Sequence, residues 1–301
     1  GIDLTIVKIT DYKKEDGTSS HRLKVMGFRA WYYMNEYLLT LYNRLCEKAY
    51  EDHPNADYDS PEFEHILDGC QQEWADSVIP DKNESVNDRL MTLDFHGLTK
   101  LFEKLCESDF PMPMAVLIAL DRFEQQAGEY LAKNAFDMME RKDQPNVYIS
   151  IQAAKALGRL QKIDYIPSLV SYIEQLPSHE ELFIESTAEG LMDMGLSAMD
   201  PMIESINKAQ TVNNNIEYLL QALSQLGRIH KEPDTFNCLK TAFLRMDNKE
   251  LGALCIAEYN DIRGVAFLNT WLDHHKSELS RESYYEILHC IKALGGRVDL
   301  F

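Results

Sequence analysis

The sequence predicts an all-α protein, a right-handed solenoid of paired helices preceded by an N-terminal module with a β-hairpin. Three observations support this prediction. A short phrase containing an arginine recurs, and the arginines fall at positions 159, 228 and 297. A half-step copy relates Ala154-x-x-Leu157 to Ala188-x-x-Leu191, which lies 34 residues later. A double-proline break at 110–113 precedes these repeats. A period of this length indicates stacked units rather than one globular core.

Residues 2–28 are predicted to form a β-hairpin. The first strand, 2–9, is rich in β-branched residues, and His21–Val25 alternates polar with apolar residues. Asp16-Gly17 supplies a turn signal between them. Because an isolated hairpin is marginally stable in water, we expect it to pack on the following helix or to pair with another chain.

About three helices complete the N-terminal module, which we place at 1–110, and they are expected at 31–50, 60–78 and 88–107. The second helix opens at Ser60-Pro61, an N-cap residue followed by a first-turn proline. The prolines at 111 and 113 then predict a domain boundary, so that the repeat domain covers 112–301.

The repeat domain is predicted to consist of short paired helices joined by turns: 114–126 with 128–141, 147–160 with 166–176, 181–194 with 200–209, 214–229 with 233–246, 249–259 with 264–276, and a closing helix 281–294. We expect Gly158 and Gly227 to end their helices in a left-handed conformation. Pro167 and Pro201 are expected in the first turns of the second helices. The apolar stripes predict a core between repeats that includes Leu157, Leu169, Val170, Leu191, Ile203, Leu226 and Leu239.

The segment Val147–Ile173 carries a family resemblance. It reads Ala153-Ala154-x-Ala156-Leu157-Gly158, then Pro167-x-Leu169-Val170-x-x-Ile173. This pattern resembles HEAT-like repeats, specifically the short-helix type of bilin-lyase-like proteins. The resemblance is clear over about 147–230 and weaker to 301. It implies an armadillo-like superhelix that presents an extended binding surface.

Composition restricts the class of protein. The 301-residue chain is 45% hydrophobic and carries a formal net charge of −19, which argues against a protein that holds nucleic acid backbones. Its apolar runs are short, so we expect no membrane span and a cytoplasmic location. Six cysteines without a CxxC pair indicate buried reduced thiols, although their even number leaves disulfides open.

The negative charge is concentrated in residues 47–88, which we call the acidic segment. It contains thirteen Asp or Glu residues against Lys48 and Lys82. One interpretation is a solvated face that keeps the protein soluble. The other is a docking surface for a basic protein or peptide, with the contact at Asp57, Asp59, Glu62 and Glu64.

Signals for enzyme chemistry are at the level expected by chance. Glu62-x-x-His65 and Glu286-x-x-His289 have the spacing used in di-iron bundles, but they lie in different modules. Adjacent histidines on a helix, as at 274 and 275, point about 100° apart and do not readily chelate one ion. We therefore predict no catalytic residue, no metal and no cofactor.

The recurring arginines Arg159, Arg228 and Arg297 are the one charged constellation above background. Lys162 and Lys231 recur with the first two. One interpretation is structural: a cation at the C-terminus of a helix offsets the helix dipole. The alternative is a basic rim that binds an acidic peptide or tail.

Two classes of function follow. The first is a non-enzymatic scaffold or adaptor that binds a protein or peptide, with an inhibitor or immunity-type protein against a basic target as its specific version. In this class the contact lies on the acidic segment or on the concave second helices. The second is a HEAT-like enzyme, either bilin-lyase-like with a deep apolar pocket or DNA-glycosylase-like with a basic groove.

Overall fold

The computed structural model describes residues 10–13, 19–22, 28–58, 60–80 and 82–296. These residues are mostly helical, and helices that are close in sequence pack on one another in a repeating manner. The chain divides into two compact units, 1–127 and 128–301. The predicted helical class with a small N-terminal antiparallel sheet is therefore confirmed.

An antiparallel hairpin lies within the predicted range 2–28, but the observed first strand follows the predicted one at 2–9, which is outside the described residues. Its strands are β1 (Thr10–Lys13) and β2 (Ser19–Arg22), which pair antiparallel with Thr10 opposite Arg22. The Asp16-Gly17 turn and Arg297 both lie outside the described residues. A second two-stranded sheet pairs β3 (Val78–Ile79) with β4 (Glu84–Ser85).

The helices of the first unit are α1 (Phe28–Asp52), α2 (Pro61–Asp76), α3 (Val86–Thr92), α4 (Phe95–Leu105) and α5 (Met114–Asp121). The first two form an antiparallel pair, in which the buried Trp74 indole Nε1 donates to the Leu38 carbonyl at 2.9 Å. The Cys70 Sγ lies 3.5 Å from the Leu45 carbonyl on the same interface.

The single helix predicted at 88–107 is wrong, because the chain breaks between Thr92 and Phe95. The Asp94 carboxylate accepts a hydrogen bond from the Gly97 backbone N–H at 2.7 Å, so a new helix is capped there. The signal in the sequence was Asp94 itself, since aspartate is a preferred N-cap residue.

The second unit holds a regular series of short helices. Its first helix, α6 (Glu124–Ala135), contains the boundary between the units. The remaining helices are α7 (Met138–Arg141), α8 (Val147–Arg159), a 3-10 turn (Ile163–Tyr165), α9 (Ile166–Gln175), α10 (Glu181–Asp193), α11 (Leu196–Lys208), α12 (Asn214–Ile229), α13 (Pro233–Arg245), α14 (Lys249–Tyr259), α15 (Arg263–His275) and α16 (Arg281–Ala293). From α8 onward the last residue of every α-helix lies within one residue of its predicted position, and α11 is the one helix whose first residue differs by more than one.

These helices form two layers. In one layer α8, α10, α12, α14 and α16 each contact the next, and we call them the first helices. In the other layer α9, α11 and α13 contact one another in the same order, and we call them second helices. This alternation is the packing expected of helical pairs stacked in a solenoid.

The core between repeats is as predicted. All seven predicted core side chains are buried, and Leu157, Leu169, Leu191 and Leu239 are fully inaccessible to solvent. The alanines of α8 are buried as well, which allows neighbouring helices to approach closely.

The predicted role of Gly158 and Gly227 is wrong. Both lie inside their helices and not after them, and the left-handed residue that follows α8 is Gln161. A Cβ on Gly158 would meet the Gly190 backbone, with the Gly190 Cα at 2.7 Å. Glycine is therefore required at position 158 by the close approach of α8 and α10.

The predicted position of Pro201 is also wrong. The helix α11 begins at Leu196, directly after Gly195, whose φ is 62°. Pro201 consequently lies inside the helix, where it supplies no N–H to the preceding turn. Pro167 does lie in the first turn of α9, as expected.

Side chains of neighbouring repeats satisfy the carbonyls at helix C-termini. Lys231 Nζ, just after α12, donates to the Tyr259 carbonyl and to the Asn260 carbonyl, the latter at 3.3 Å, at the end of α14. Arg245 of α13 donates to the Ile206 carbonyl at 2.8 Å, near the end of α11. Because the last four carbonyls of a helix have no partner within it, these bonds hold adjacent repeats together.

Candidate binding surfaces

The acidic segment covers the end of α1, the α1–α2 loop, α2 and the second small sheet. Its described carboxylates are exposed, apart from the half-buried Glu84. Of the predicted contact residues, Asp57 lies in the loop, Glu62 and Glu64 lie in the first turn of α2, and Asp59 is outside the described residues.

Three aromatic rings hold the α1–α2 loop against the helices. The ring of Tyr50 lies 4.8 Å from that of Tyr58 and 4.7 Å from that of Phe63, and Tyr58 and Phe63 are 4.8 Å apart. Ser60 closes the loop, since its hydroxyl donates to the Asp57 carbonyl at 2.6 Å. The loop is therefore anchored at both ends.

Four carboxylate residues flank the rings of this aromatic cluster in the sequence. Each is next in sequence, or next but one, to a ring of the cluster, and we call the group the acidic tip: Glu51, Asp52, Asp57 and Glu62. Tyr58 itself is 45% exposed. Within the described residues, Glu51, Asp52 and Glu62 have no ion-pair partner.

The carboxylates differ in their relation to the helix dipole. Glu62 and Glu64 lie in the first turn of α2, where negative charge is favourable. By contrast, the last turns of α1 and α2 contain no basic residue, and Glu51, Asp52 and Asp76 lie there instead. Negative charge at a helix C-terminus is unfavourable, so these positions cost stability.

Asp88, at the end of the acidic segment, has a structural role. Its carboxylate accepts from the Ser85 backbone N–H at 3.0 Å, while the Ser85 hydroxyl accepts from the Asp88 N–H at 3.0 Å. This capping box lowers the pKa of Asp88 through the hydrogen bonds from Ser85. Asp88 is thus occupied by the fold, in contrast to Glu51, Asp52 and Glu62.

The recurring arginines lie at equivalent helix ends. Arg159 is the last residue of α8, and Arg228 lies in the last turn of α12. Arg228 pairs with Glu258 of the next first helix, with Nη1 and Oε1 at 2.9 Å. The Lys231 ammonium also makes a cation–π contact, since its Nζ lies 4.0 Å from the centroid of the Tyr259 ring. The cations at Arg228 and Lys231 therefore join successive repeats.

The residues of both Glu-x-x-His motifs are described by the structure. Within the described ranges no group of three or more His, Cys, Asp or Glu side chains could hold a metal ion. Glu62 and His65 are exposed, as are Glu286 and His289. The His274 ring binds the Thr270 carbonyl of its own helix at 2.6 Å.

The cysteines are free thiols, and five of the six are buried. Burial raises the pKa of Cys46, Cys238 and Cys255 to about 12 and that of Cys290 to about 11. At neutral pH these thiols are protonated, so they lack the thiolate that nucleophilic catalysis needs.

One surface was missed by the sequence reasoning. One large exposed aliphatic side chain lies in or directly beside each turn that joins α8, α10, α12 or α14 to the helix that follows it. We call these four side chains the turn ridge: Ile163, Leu196, Ile229 and Ile262. They recur at intervals of 33 residues. That interval was the available signal, hidden because it differs slightly from the arginine spacing.

Comparison of the chain with protein-family models, with curated proteins and with solved structures finds no match. Among the described helices, none has the length and apolar character needed to cross a membrane.

Proposed function

We propose that this chain is a non-enzymatic interaction protein, a helical-repeat scaffold or adaptor, whose acidic tip binds a basic protein or peptide. The observation that carries the proposal is the position of Glu51, Asp52, Asp57 and Glu62, each beside one of the three packed rings of Tyr50, Phe63 and the exposed Tyr58. Carboxylates attract Lys and Arg side chains, and an exposed tyrosine ring offers a face to a cation. The tip combines both kinds of recognition.

The helix ends support the same proposal. Glu51 and Asp52 lie where the dipole of α1 disfavours negative charge. Residues that break a local rule are typical of functional sites, where the cost is offset elsewhere in the protein. A cation from a partner would offset both carboxylates, so binding would relieve a cost that the free protein bears.

The character of the second unit supports the scaffold. We propose that it is a HEAT-like array, since its first and second helices form two sequential layers, and a glycine contact in one layer and a carbonyl bond in the other join successive helices. We also propose a cytoplasmic location, which fits six free thiols. An inhibitor or immunity-type protein that covers a basic target is the specific version that fits the acidic tip best.

The test compares two variants that change the same charge. One replaces the four residues of the acidic tip, Glu51, Asp52, Asp57 and Glu62, by their amides. The control replaces Glu185, Asp200, Asp273 and Glu278, which are exposed on the second unit, in the same way. Association is measured with a lysine- and arginine-rich peptide by fluorescence anisotropy, and with partners recovered by pull-down from native lysate. Rim charges mainly raise association rates and are screened within about 8 Å at physiological salt.

We expect the tip variant to slow association as strongly as high salt does, while the control binds like the original chain. Equal loss in both variants would mean that net charge alone is responsible. Full, salt-independent binding by the tip variant would move the contact to the second helices.

A further inference from the structure

The turn ridge is an apolar row on an otherwise charged protein. The side chains of Ile163 and Leu196 are 48% and 52% exposed, and those of Ile229 and Ile262 are 74% and 70% exposed. Single exposed aliphatic residues are ordinary, but a row with one member in each repeat is an organised surface. Such rows mark places where another molecule covers the protein.

The four turns lie on one edge of the second unit. Gln161 Nε2 donates to the Asp193 carbonyl, which joins the first turn to the second. Arg228 and Lys231 join the third turn to the fourth through Glu258 and the Asn260 carbonyl. Since α10 and α12 also contact each other, the first helices bring their C-terminal turns to the same side.

The charges of these turns alternate. With histidine neutral, the formal charges of 159–164 and 228–232 are each +1, while those of 193–197 and 258–263 are each −1. The edge is therefore neutral as a whole, although the chain carries −19. Like-charge repulsion between two copies of the protein is weakest at such an edge.

We propose that a second copy of this chain covers the turn ridge, related by a two-fold axis so that the two edges run antiparallel. In this arrangement the first turn faces the fourth of its partner and the second faces the third. Each facing pair then brings opposite formal charges together. A copy that ran parallel would place like charges opposite each other.

The spacing of the ridge favours the same occupant. The four ridge side chains are evenly spaced, so a partner surface with the same spacing fits them best. A second copy of this chain has the same spacing because its ridge is identical. In a two-fold contact the same surface of both copies must be complementary to itself. The alternating charges of the four turns meet this requirement when the two edges run antiparallel. Arg228 and Glu258 already pair within one chain, so the complementarity lies in the neutral sum and the order of the turns rather than in one new ion pair.

The edge is large enough for a stable contact. Four repeats stacked at about 10 Å, two helices deep at about 10 Å each, give a surface of roughly 800 Å². A standard protein interface buries about 800 Å² on each partner. The apolar ridge would occupy the centre of that area and the charged turn residues its rim.

The first experiment is sedimentation of the full chain over a range of concentrations. We expect a dimer whose dissociation constant rises by about thirtyfold or more when Ile229→Asp and Ile262→Asp are combined. The matched control is Leu244→Asp with Leu254→Asp, because these side chains are 53% and 55% exposed but lie outside the turns. Circular dichroism checks that both double variants keep their helices.

The second experiment tests the antiparallel order. A protein with Ile163→Cys is mixed with one carrying Ile262→Cys, and a short bismaleimide links thiols that are close together. We expect crosslinks between the two variants and none between two copies of Ile163→Cys, with the original chain as the background for its six native thiols. A monomer at all concentrations, equal weakening by the control variant, or self-crosslinking of Ile163→Cys would each overturn the proposal.

Discussion

Helix ends differ between the repeats of the second unit and the acidic segment of the first. In the repeats, Lys231 and Arg245 donate to carbonyls at the ends of neighbouring helices. Arg122 covers the end of α3 in the first unit in the same way, with its Nη2 3.0 Å from the Leu93 carbonyl. The ends of α1 and α2 instead carry carboxylates and no cation. The ends of α11 and α14 are thus bonded to neighbouring repeats, whereas the ends of α1 and α2 carry carboxylates that a partner could contact.

The largest expected effect tests cohesion between repeats. Leu157→Ala should lower the free energy of unfolding by about 2–5 kcal/mol, because Leu157 is fully buried and its loss leaves a cavity. Leu182→Ala is the control, since Leu182 is 52% exposed on the neighbouring helix α10. Urea titration followed by circular dichroism measures both. A change below about 1 kcal/mol for Leu157→Ala would contradict a packed core between these repeats.

The next effect compares glycines in the two units. Gly158→Ala should destabilise the protein by about 1–3 kcal/mol, because the new methyl group meets the backbone of α10. Gly69→Ala in α2 should stabilise it by about 0.5–1 kcal/mol, since no atom lies within 4 Å of the added carbon. Thermal denaturation of the two variants should therefore shift in opposite directions. Equal shifts would show that α8 and α10 are not in close contact.

A smaller effect tests the bonds at helix ends. Lys231→Met should cost about 1 kcal/mol, because it leaves two carbonyls at the end of α14 without their donor. Lys208→Met is the control, since Lys208 is largely exposed and its pair with Glu204 lies on one helix. Chemical denaturation distinguishes them. Similar values for both variants would mean that Lys231 contributes no more than a surface charge.

The smallest effect tests the acidic tip. Glu51→Lys should raise the free energy of unfolding by about 0.3–1 kcal/mol, because a cation then lies at the C-terminus of α1. Glu62→Lys makes the same charge change at the start of α2 and should lower it by a similar amount. Both should weaken binding of the basic peptide. If Glu51→Lys destabilises the protein, the tip carries no electrostatic cost.

The helices could be predicted from the sequence where caps and apolar periodicity agree. Ser60 before Pro61 predicted the start of α2, and the hydroxyl of Ser60 does accept from the Phe63 N–H at 3.2 Å. A break at Glu124 could not be foreseen, because its φ of 41° is a backbone conformation that glutamate rarely adopts. The predicted helices at 114–126 and 128–141 consequently end and begin elsewhere.

The role of a glycine was harder to predict than its position. Gly158 and Gly295 occur in the same short phrase, yet Gly295 has a φ of 86° after α16 while Gly158 contacts another helix. The distance between two packed helices cannot be predicted from the sequence of either helix alone. For the same reason the acidic segment was visible in the sequence, whereas the grouping of Glu51 and Asp52 with Tyr58 required the loop geometry.

The direction of the bonds between repeats has a consequence for synthesis on the ribosome. At the ends of two second helices the donor follows its acceptor in the sequence: Arg245 lies 39 residues after Ile206, and Asn215 of α12 lies 42 residues after Ile173, whose carbonyl it reaches at 2.7 Å. The end of each of these helices therefore stays open until about one further repeat has left the exit tunnel. Each of these helix ends is therefore completed about one repeat later than the helix itself is translated. If the ribosome stalls, the carbonyls at that helix end stay without their donors and remain accessible to chaperones.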